Sequence, residues 1–429
     1  MKLLDSRDPA FRRRWEALLQ ERSSSMEEAL EVVQGILQQV KEGGDEALVR
    51  LTERFDGVKL RVEELEVERQ RWREAMAQVD DEVLEALEAA ASNIEAFHRQ
   101  QLREGWVDFS PGVVRGELSR PVERAGIYVP GGKALYPSSL LMGVIPARVA
   151  GVEEVIVVTP PSPGGVNPVV LAAAEIAGAD RLFQVGGAQA VAALAYGTCR
   201  VPRVDVIAGP GNLYVTAAKK LLYGEVGVDM LAGPSELLIL SDGSSSPRFA
   251  AADLLSQAEH DQEAWTLLIT PEGAFAERVL EELEALLAET PRREVASESL
   301  RRHGFAVVVE DLEEGMELAN EFAPEHLELH LKEPLTWLEG VRNAGVVFLG
   351  DQTPVALGDY YAGPNHILPT ARAARYSSPL GVWTFQKRIN FLYYDRGALA
   401  EAAKRVVPLA RIEGLEAHAE AVKVRVDHG

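Results

Sequence analysis

Between residues 155 and 220 the chain alternates three times between a short apolar run and a helical segment, with glycine or proline at each changeover. The run 155–159 leads through Pro160-Pro161 to an Ala-rich helix over 167–177. The run 182–185 leads through Gly186-Gly187 to a helix over 188–196. The run 204–208 leads through Gly209-Pro-Gly-Asn212 to a helix reaching Lys220. Such strand–turn–helix units fold as parallel strands joined by right-handed crossovers. Two of the three turns put paired or alternate glycines at a strand's carboxyl end. Open α/β sheets bind ligands there, and helix N-termini favour a phosphate. No complete Gly-x-Gly-x-x-Gly is present, so a nucleotide site rests on geometry rather than on the dinucleotide fingerprint.

The rest of the chain extends this reading. Strand patterns ending at 240, over 265–270 and over 305–309 alternate with helices around 257, over 275–287 and over 316–322, a second α/β layer. The first third reads as helices. One, over 29–40, opens on a Ser25/Glu28 capping box and stops at Gly43-Gly44. A second covers 45–55. A third covers 80–102, with Val83, Leu84, Leu87, Ile94 and Phe97 on its apolar face and His98 at the surface. A hairpin turns at Pro111-Gly112. A strand over 126–129 then runs into a Gly/Pro loop. The expected fold class is α/β: two Rossmann-like α/β domains with parallel sheets, plus a helical N-terminal region and a small C-terminal segment. The expected boundaries are 1–125, 126–232 for an inserted domain, 233–378 for the rest of the first domain, and 379–429.

Charge and cysteine use narrow the function. A net charge of −22 and a pI near 4.9 argue against nucleic acid or an anionic membrane as partner. Cys199 is the sole cysteine, which excludes an intrachain disulfide and a cysteine-based zinc cluster and fits a reducing compartment. The first residues lack a signal-peptide core and no run of 18 apolar residues occurs, so the expected location is cytoplasmic, with no membrane span.

The candidate chemistry sits in three places. In Asp253-Leu-Leu-Ser-Gln-Ala-Glu-His-Asp261, Gln257 and His260 are three residues apart, on one helix face. Glu325 and His326 are adjacent, a carboxylate beside the side chain best matched to proton transfer near neutral pH. The Gly/Pro-punctuated loop 350–370 carries Asp359, Tyr360, Asn365 and His366, and loops this long are usually functional or disordered. Near the end come Glu413 and His418. Each alone also reads as an ordinary polar surface, and His330 as a strand-face residue. Together Gln257, His260, Asp359 and His418 form a possible N/O metal set suited to Zn²⁺, Mn²⁺ or Co²⁺.

Gly126-Ile-Tyr-Val-Pro-Gly-Gly132, Gly209-Pro-Gly-Asn-Leu-Tyr-Val215, Ala232-Gly-Pro-Ser-Glu236, the 253–261 stretch, Ala323-Pro-Glu-His-Leu-Glu328 and the 358–370 stretch resemble, in order and spacing, the histidinol dehydrogenase family over nearly the whole chain. One departure is Ala371-Arg372, where family members commonly carry glycine after the threonine. The resemblance implies a four-electron oxidation of L-histidinol to L-histidine through the aldehyde, with two NAD⁺ reduced. It implies zinc held by Gln257, His260, Asp359 and His418, and His326 as the base. It implies Glu325 as activator of water, and Ser235, His366 and Glu413 as substrate contacts. It further implies Tyr128, Gln189 and Asn212 as NAD contacts, and a homodimer whose C-terminal segments complete each other's sites. Two other readings stay open on the residues alone, a zinc hydrolase and a non-catalytic metabolite-binding protein.

Overall fold

The computed structural model describes residues 1–22, 26–131 and 135–427. The expected capping box at Ser25 lies outside them, as does the 132–134 part of the Gly/Pro loop. Two all-parallel sheets organise the chain. The five-stranded sheet runs, in spatial order, Arg181–Phe183, Glu154–Val158, Arg124–Tyr128, Val206–Ala208 and Gly227–Val228. The six-stranded sheet runs Lys2–Asp5, Gly304–Val308, Trp265–Thr270, Glu236–Ser241, His326–His330 and Val346–Leu349.

Both sheets are covered on both faces, which is why their strands read as unbroken apolar runs. Val155 and Val157 enter one core while Ile156 and Val158 enter the other. In the second sheet Leu238 and Leu240 oppose Leu237 and Ile239 in the same way. Each fully buried Val, Leu or Ile contributes about 1.5–3 kcal/mol, so a one-residue slip in register would exchange two complete core faces.

The N-terminal region is divided between the sheets. Phe11, Trp15, Leu18 and Leu19, on the helix Phe11–Glu21, pack on the six-stranded sheet, whose edge is the strand Lys2–Asp5. Ala29, Val33, Ile36, Leu37, Leu48 and Leu51 pack on the five-stranded sheet. They lie on Glu27–Asp56, which breaks at Gly44 (φ 49°, ψ −134°), so the expected pair of helices is present as two arms of one element. The expected hairpin joins Trp106–Ser110 to Val113–Pro121, with Gly112 at φ 74°. Gln386–Tyr394 completes this third, antiparallel sheet.

Several elements escape sequence reading. Pro137–Ala150 is buried almost all round, so no polar face marks its period. Among the described residues no helix is long and apolar enough to cross a membrane.

The expectation for His98 is overturned. The helix Asp81–Arg99 buries Leu87, Ala90, Ile94 and His98, while Val83 and Phe97 are exposed. Leu87 and Ile94 face the core as expected, but Ala90 and His98 complete the stripe in place of Val83 and Phe97. His98 Nδ1 donates to the Ile94 carbonyl (2.8 Å), and Nε2 lies 3.4 Å from Asn365 Nδ2. Burial lowers its pKa. The folded state therefore binds fewer protons than the unfolded chain, and the stability tied to His98 is lost as pH falls through the unfolded value. A His98→Gln chain should lose less unfolding free energy between pH 7 and pH 5 than the native chain, by up to about 2 kcal/mol. Denaturant titrations at the two pH values measure this, and equal losses would show His98 protonated in the fold.

Candidate active site

Glu325 and His326 open the strand His326–His330, next to the start of Glu236–Ser241, at the amino edge of the six-stranded sheet. The first N–H groups of two strands need acceptors there, and carboxylates supply them. Glu236 N donates to Glu325 Oε2 (2.8 Å), and Glu325 N donates back to Glu236 Oε2 (3.2 Å). Glu236 is held in turn by Arg22, at 2.5 Å, with both side chains almost wholly buried. The Arg22 guanidinium also donates to the Phe322 carbonyl and lies 3.5 Å from the Phe322 ring centroid. Ala371 N adds a further hydrogen bond to Glu236 Oε1 (3.0 Å).

This network sets the histidine's tautomer. His326 Nδ1 lies 2.9 Å from the Glu236 carbonyl oxygen, which can only accept, so Nδ1 carries the proton. Nε2 is then a bare lone pair. It is buried, has no protein partner, and faces Asp359 Oδ1 at 3.9 Å. Burial, reinforced by His260 and His366 nearby, pulls the His326 pKa down to about 4, against the Glu236 hydrogen bond. Burial pushes Glu325 well above the carboxylate range, and the charges of Glu236 and Asp359 add to this. Burial also raises Asp359 to about 7. Burial thus favours the neutral imidazole of His326 and disfavours the charged form of the Glu325 carboxyl 3.5 Å away.

His366 frames the same pocket. Its Nδ1 donates to the Asp359 carbonyl (2.9 Å), and its Nε2 accepts from Ser139 Oγ (3.1 Å). Burial lowers its pKa to about 4. Gln257 is buried in the last turn of Pro247–Ala258, and its Nε2 has no partner. The shared helix face expected for Gln257 and His260 is corrected, because the helix ends at Ala258. A tight turn, His260 N to Gln257 O at 3.2 Å, carries the chain onward instead. His260 is exposed, yet the protein atoms around its ring lower its pKa, opposed by Glu259. Ser235, half-buried, precedes Glu236, and its carbonyl accepts from Trp265 N (2.9 Å).

Glu413 and His418 stand apart. Both are exposed, and the helices Arg396–Ile412 and Glu416–Asp427 around them pack mainly on each other. Among the described residues the one close group of three His, Cys, Asp or Glu ligand atoms is Asp253, Glu328 and His330. His260, Asp359 and His418 therefore do not converge within one chain.

The other candidate residues sit at carboxyl ends of the five-stranded sheet. Tyr128 ends its strand, and its hydroxyl accepts from Gly187 N (3.1 Å). Burial pushes its pKa up to about 12. Gln189 is buried with Nε2 unpartnered. Asn212 caps Leu213–Leu222, accepting from Tyr214 N (3.0 Å) and Val215 N (3.1 Å). Gly209 is required between them: its φ is 117°, and a Cβ there would lie 2.1 Å from the Tyr128 carbonyl oxygen.

Arg22, Glu236 and Ser139 were not singled out from sequence. A carboxylate heading the run Glu-Leu-Leu-Ile-Leu240 is a usable signal for Glu236. Nothing local marks Arg22, 214 residues away.

Two all-parallel sheets and a buried acid–base pair define an α/β enzyme. A sequence model described as histidinol dehydrogenase matches residues 19–426. A histidinol dehydrogenase from Thermus thermophilus is 54% identical over 397 residues, covering 92% of this chain and 94% of its own length. One from a Synechococcus species is 52% identical over 395 residues, covering 92% and 91%. A crystal structure of histidinol dehydrogenase from Elizabethkingia anophelis matches with a TM-score of 0.93 at 34% identity, covering 99% of this chain and 98% of that one. The chain belongs to the histidinol dehydrogenase family.

Removing one partner of a buried ion pair strands the other's charge and costs about 3–5 kcal/mol. Arg22→Met should therefore be strongly destabilised. Arg22→Met with Glu236→Leu should recover most of the stability but not turnover, because Glu236 also aligns Glu325 and His326. Thermal denaturation and steady-state rates of the two variants check this, and a fully active double variant would deny Glu236 its positioning role.

Proposed function

We propose that the protein oxidises L-histidinol to L-histidine through the aldehyde, the final steps of histidine biosynthesis, in the cytoplasm. The observation that carries the chemistry is His326, a buried neutral imidazole whose unpartnered Nε2 faces Asp359 Oδ1 at 3.9 Å, with His366 nearby.

The donor set fits a zinc ion: Gln257 is a buried amide that keeps an unpartnered polar atom and can offer its oxygen, His260 offers an imidazole, and Asp359 is a carboxyl whose pKa burial raises. Gln257, His260 and Asp359 would hold it, with His418 from a second copy of the chain. The exposed helix pair at the C-terminus, with Leu409 and Ile412 bare, supports such an exchange in a homodimer. Gln189 Nε2, the Tyr128 hydroxyl and the glycine-bounded turn at Asn212 suit NAD. When bound, zinc fixes the substrate's amine and imidazole, and NAD accepts the hydride of each oxidation.

The protein's own part is positioning and proton handling. His326 Nε2 takes the hydroxyl proton of the alcohol. The imidazolium so formed lies against Glu325 and favours loss of the Glu325 proton to solvent, reversing the effect of burial; His326 gives up its own extra proton to solvent before the second oxidation. A Glu325 carboxylate then draws a proton from the water that adds to the aldehyde. Ser235, His366 and Glu413 orient the substrate, and Ser139 fixes the His366 ring.

The test is NADH formed per molecule of limiting L-histidinol. Two are expected, lost on chelation and restored by Zn²⁺. Glu325→Gln should slow oxidation of the aldehyde about a hundredfold or more, and far more than that of the alcohol. One NADH from the native protein, or equal losses in the variant, would remove the role given to Glu325. No NADH from folded, zinc-loaded protein would overturn the reading.

A further inference from the structure

Three side chains that this chemistry does not use meet beneath the site. Glu328 and His330 follow His326 at alternate positions of one strand and so share its face. Asp253 reaches them from Pro247–Ala258, one turn before Gln257. His330 Nε2 lies 3.2 Å from Glu328 Oε2 and 3.7 Å from Asp253 Oδ2. Glu328 is fully buried, His330 nearly so, and the Asp253 side chain is 13% exposed. Glu328 Oε1 is satisfied by Val355 N (3.1 Å), but Glu328 Oε2 and both His330 nitrogens have no hydrogen-bond partner. Among the described residues no Lys or Arg pairs with either carboxylate.

We propose that Asp253, Glu328 and His330 form a second divalent-cation site, a structural zinc site separate from the catalytic pocket. Ligand atoms around tetrahedral zinc, with bonds of about 2.0–2.2 Å, stand about 3.3 Å apart, and His330 Nε2 lies 3.2 Å and 3.7 Å from the two carboxylate oxygens, with all three atoms within 4.8 Å of one another. Two carboxylates and a neutral imidazole balance a dication's charge. The two carboxylates lie close together in the interior, an arrangement that a cation between them would balance. The solvent-facing side of Asp253 leaves room for water as a fourth ligand. The ion would clamp three elements that carry site residues: the helix of Gln257, the strand of His326, and Val355–Tyr360, which bears Asp359 and whose first N–H rests on Glu328.

The experiment counts zinc in the full-length protein, stripped with chelator, reloaded with excess Zn²⁺ and dialysed. The native chain should retain two zinc ions per chain. His330→Gln and, as a second variant, Asp253→Asn should each retain one. His260→Ala should also retain one, and zinc should still raise its melting temperature by several degrees. A single zinc lost in His330→Gln but kept in His260→Ala would uphold this site and remove the four-ligand one. A single zinc kept in folded His330→Gln and Asp253→Asn would overturn the proposal, as would a His260→Ala chain whose melting temperature ignores zinc.

Discussion

The buried pair between Arg22 and Glu236 is the constraint on which the site depends. Such a pair contributes little net stability, because desolvating two charges nearly cancels their attraction. Its effect is geometric. A charge this deep must be met on every side, and the groups that meet Glu236 are the Glu325 and Ala371 amides and the Arg22 guanidinium. One carboxylate therefore ties the end of an N-terminal helix, two strand starts and the loop after Thr370 to a single point. The loop bears a local cost: Ala371 and Arg372 adopt φ of 51° and 67°, at about 1–2 kcal/mol each for non-glycine residues. Relatives with glycine after the threonine would avoid part of that cost. Here the Ala371 hydrogen bond to Glu236 holds the turn in place.

The same burial moves the two reacting groups in opposite directions. Burial favours the neutral form of both, lowering the pKa of His326 and raising that of Glu325. Pairs of groups pushed apart in this way mark acid–base sites. The location is less expected. Open parallel sheets bind ligands at their carboxyl ends, and Tyr128, Gln189 and Asn212 lie at that end of the five-stranded sheet. Glu325 and His326 lie instead at the amino edge of the six-stranded sheet, where the strands' first N–H groups take carboxylate acceptors and thereby orient them.

Much of this was legible beforehand. Most parallel strands of both sheets, but not the less fully covered edge strands Lys2–Asp5, Gly227–Val228 and Val346–Leu349, could be read because strands covered on two faces are apolar throughout, and the glycines at 186–187 and 209–211 marked the carboxyl ends. The Pro137–Ala150 helix could not be read for the same reason, since a helix buried all round has no amphipathic period. His98 was misplaced because Phe97, the larger and more apolar neighbour, was the natural choice for the core, and the Asn365 and Ile94 contacts that favour His98 are settled by packing.

By itself the sequence determined the α/β class, the family, and which residues are capable of proton transfer and metal binding. Those properties reside in local period and in residue chemistry, and both survive in an unfolded string. Only the tertiary structure decided that Arg22 stands behind Glu325, that the His326 proton sits on Nδ1, and that His418 lies away from Asp359 within one chain. These depend on contacts between residues far apart in sequence, and on the low dielectric that forms only when both sheets close over their cores.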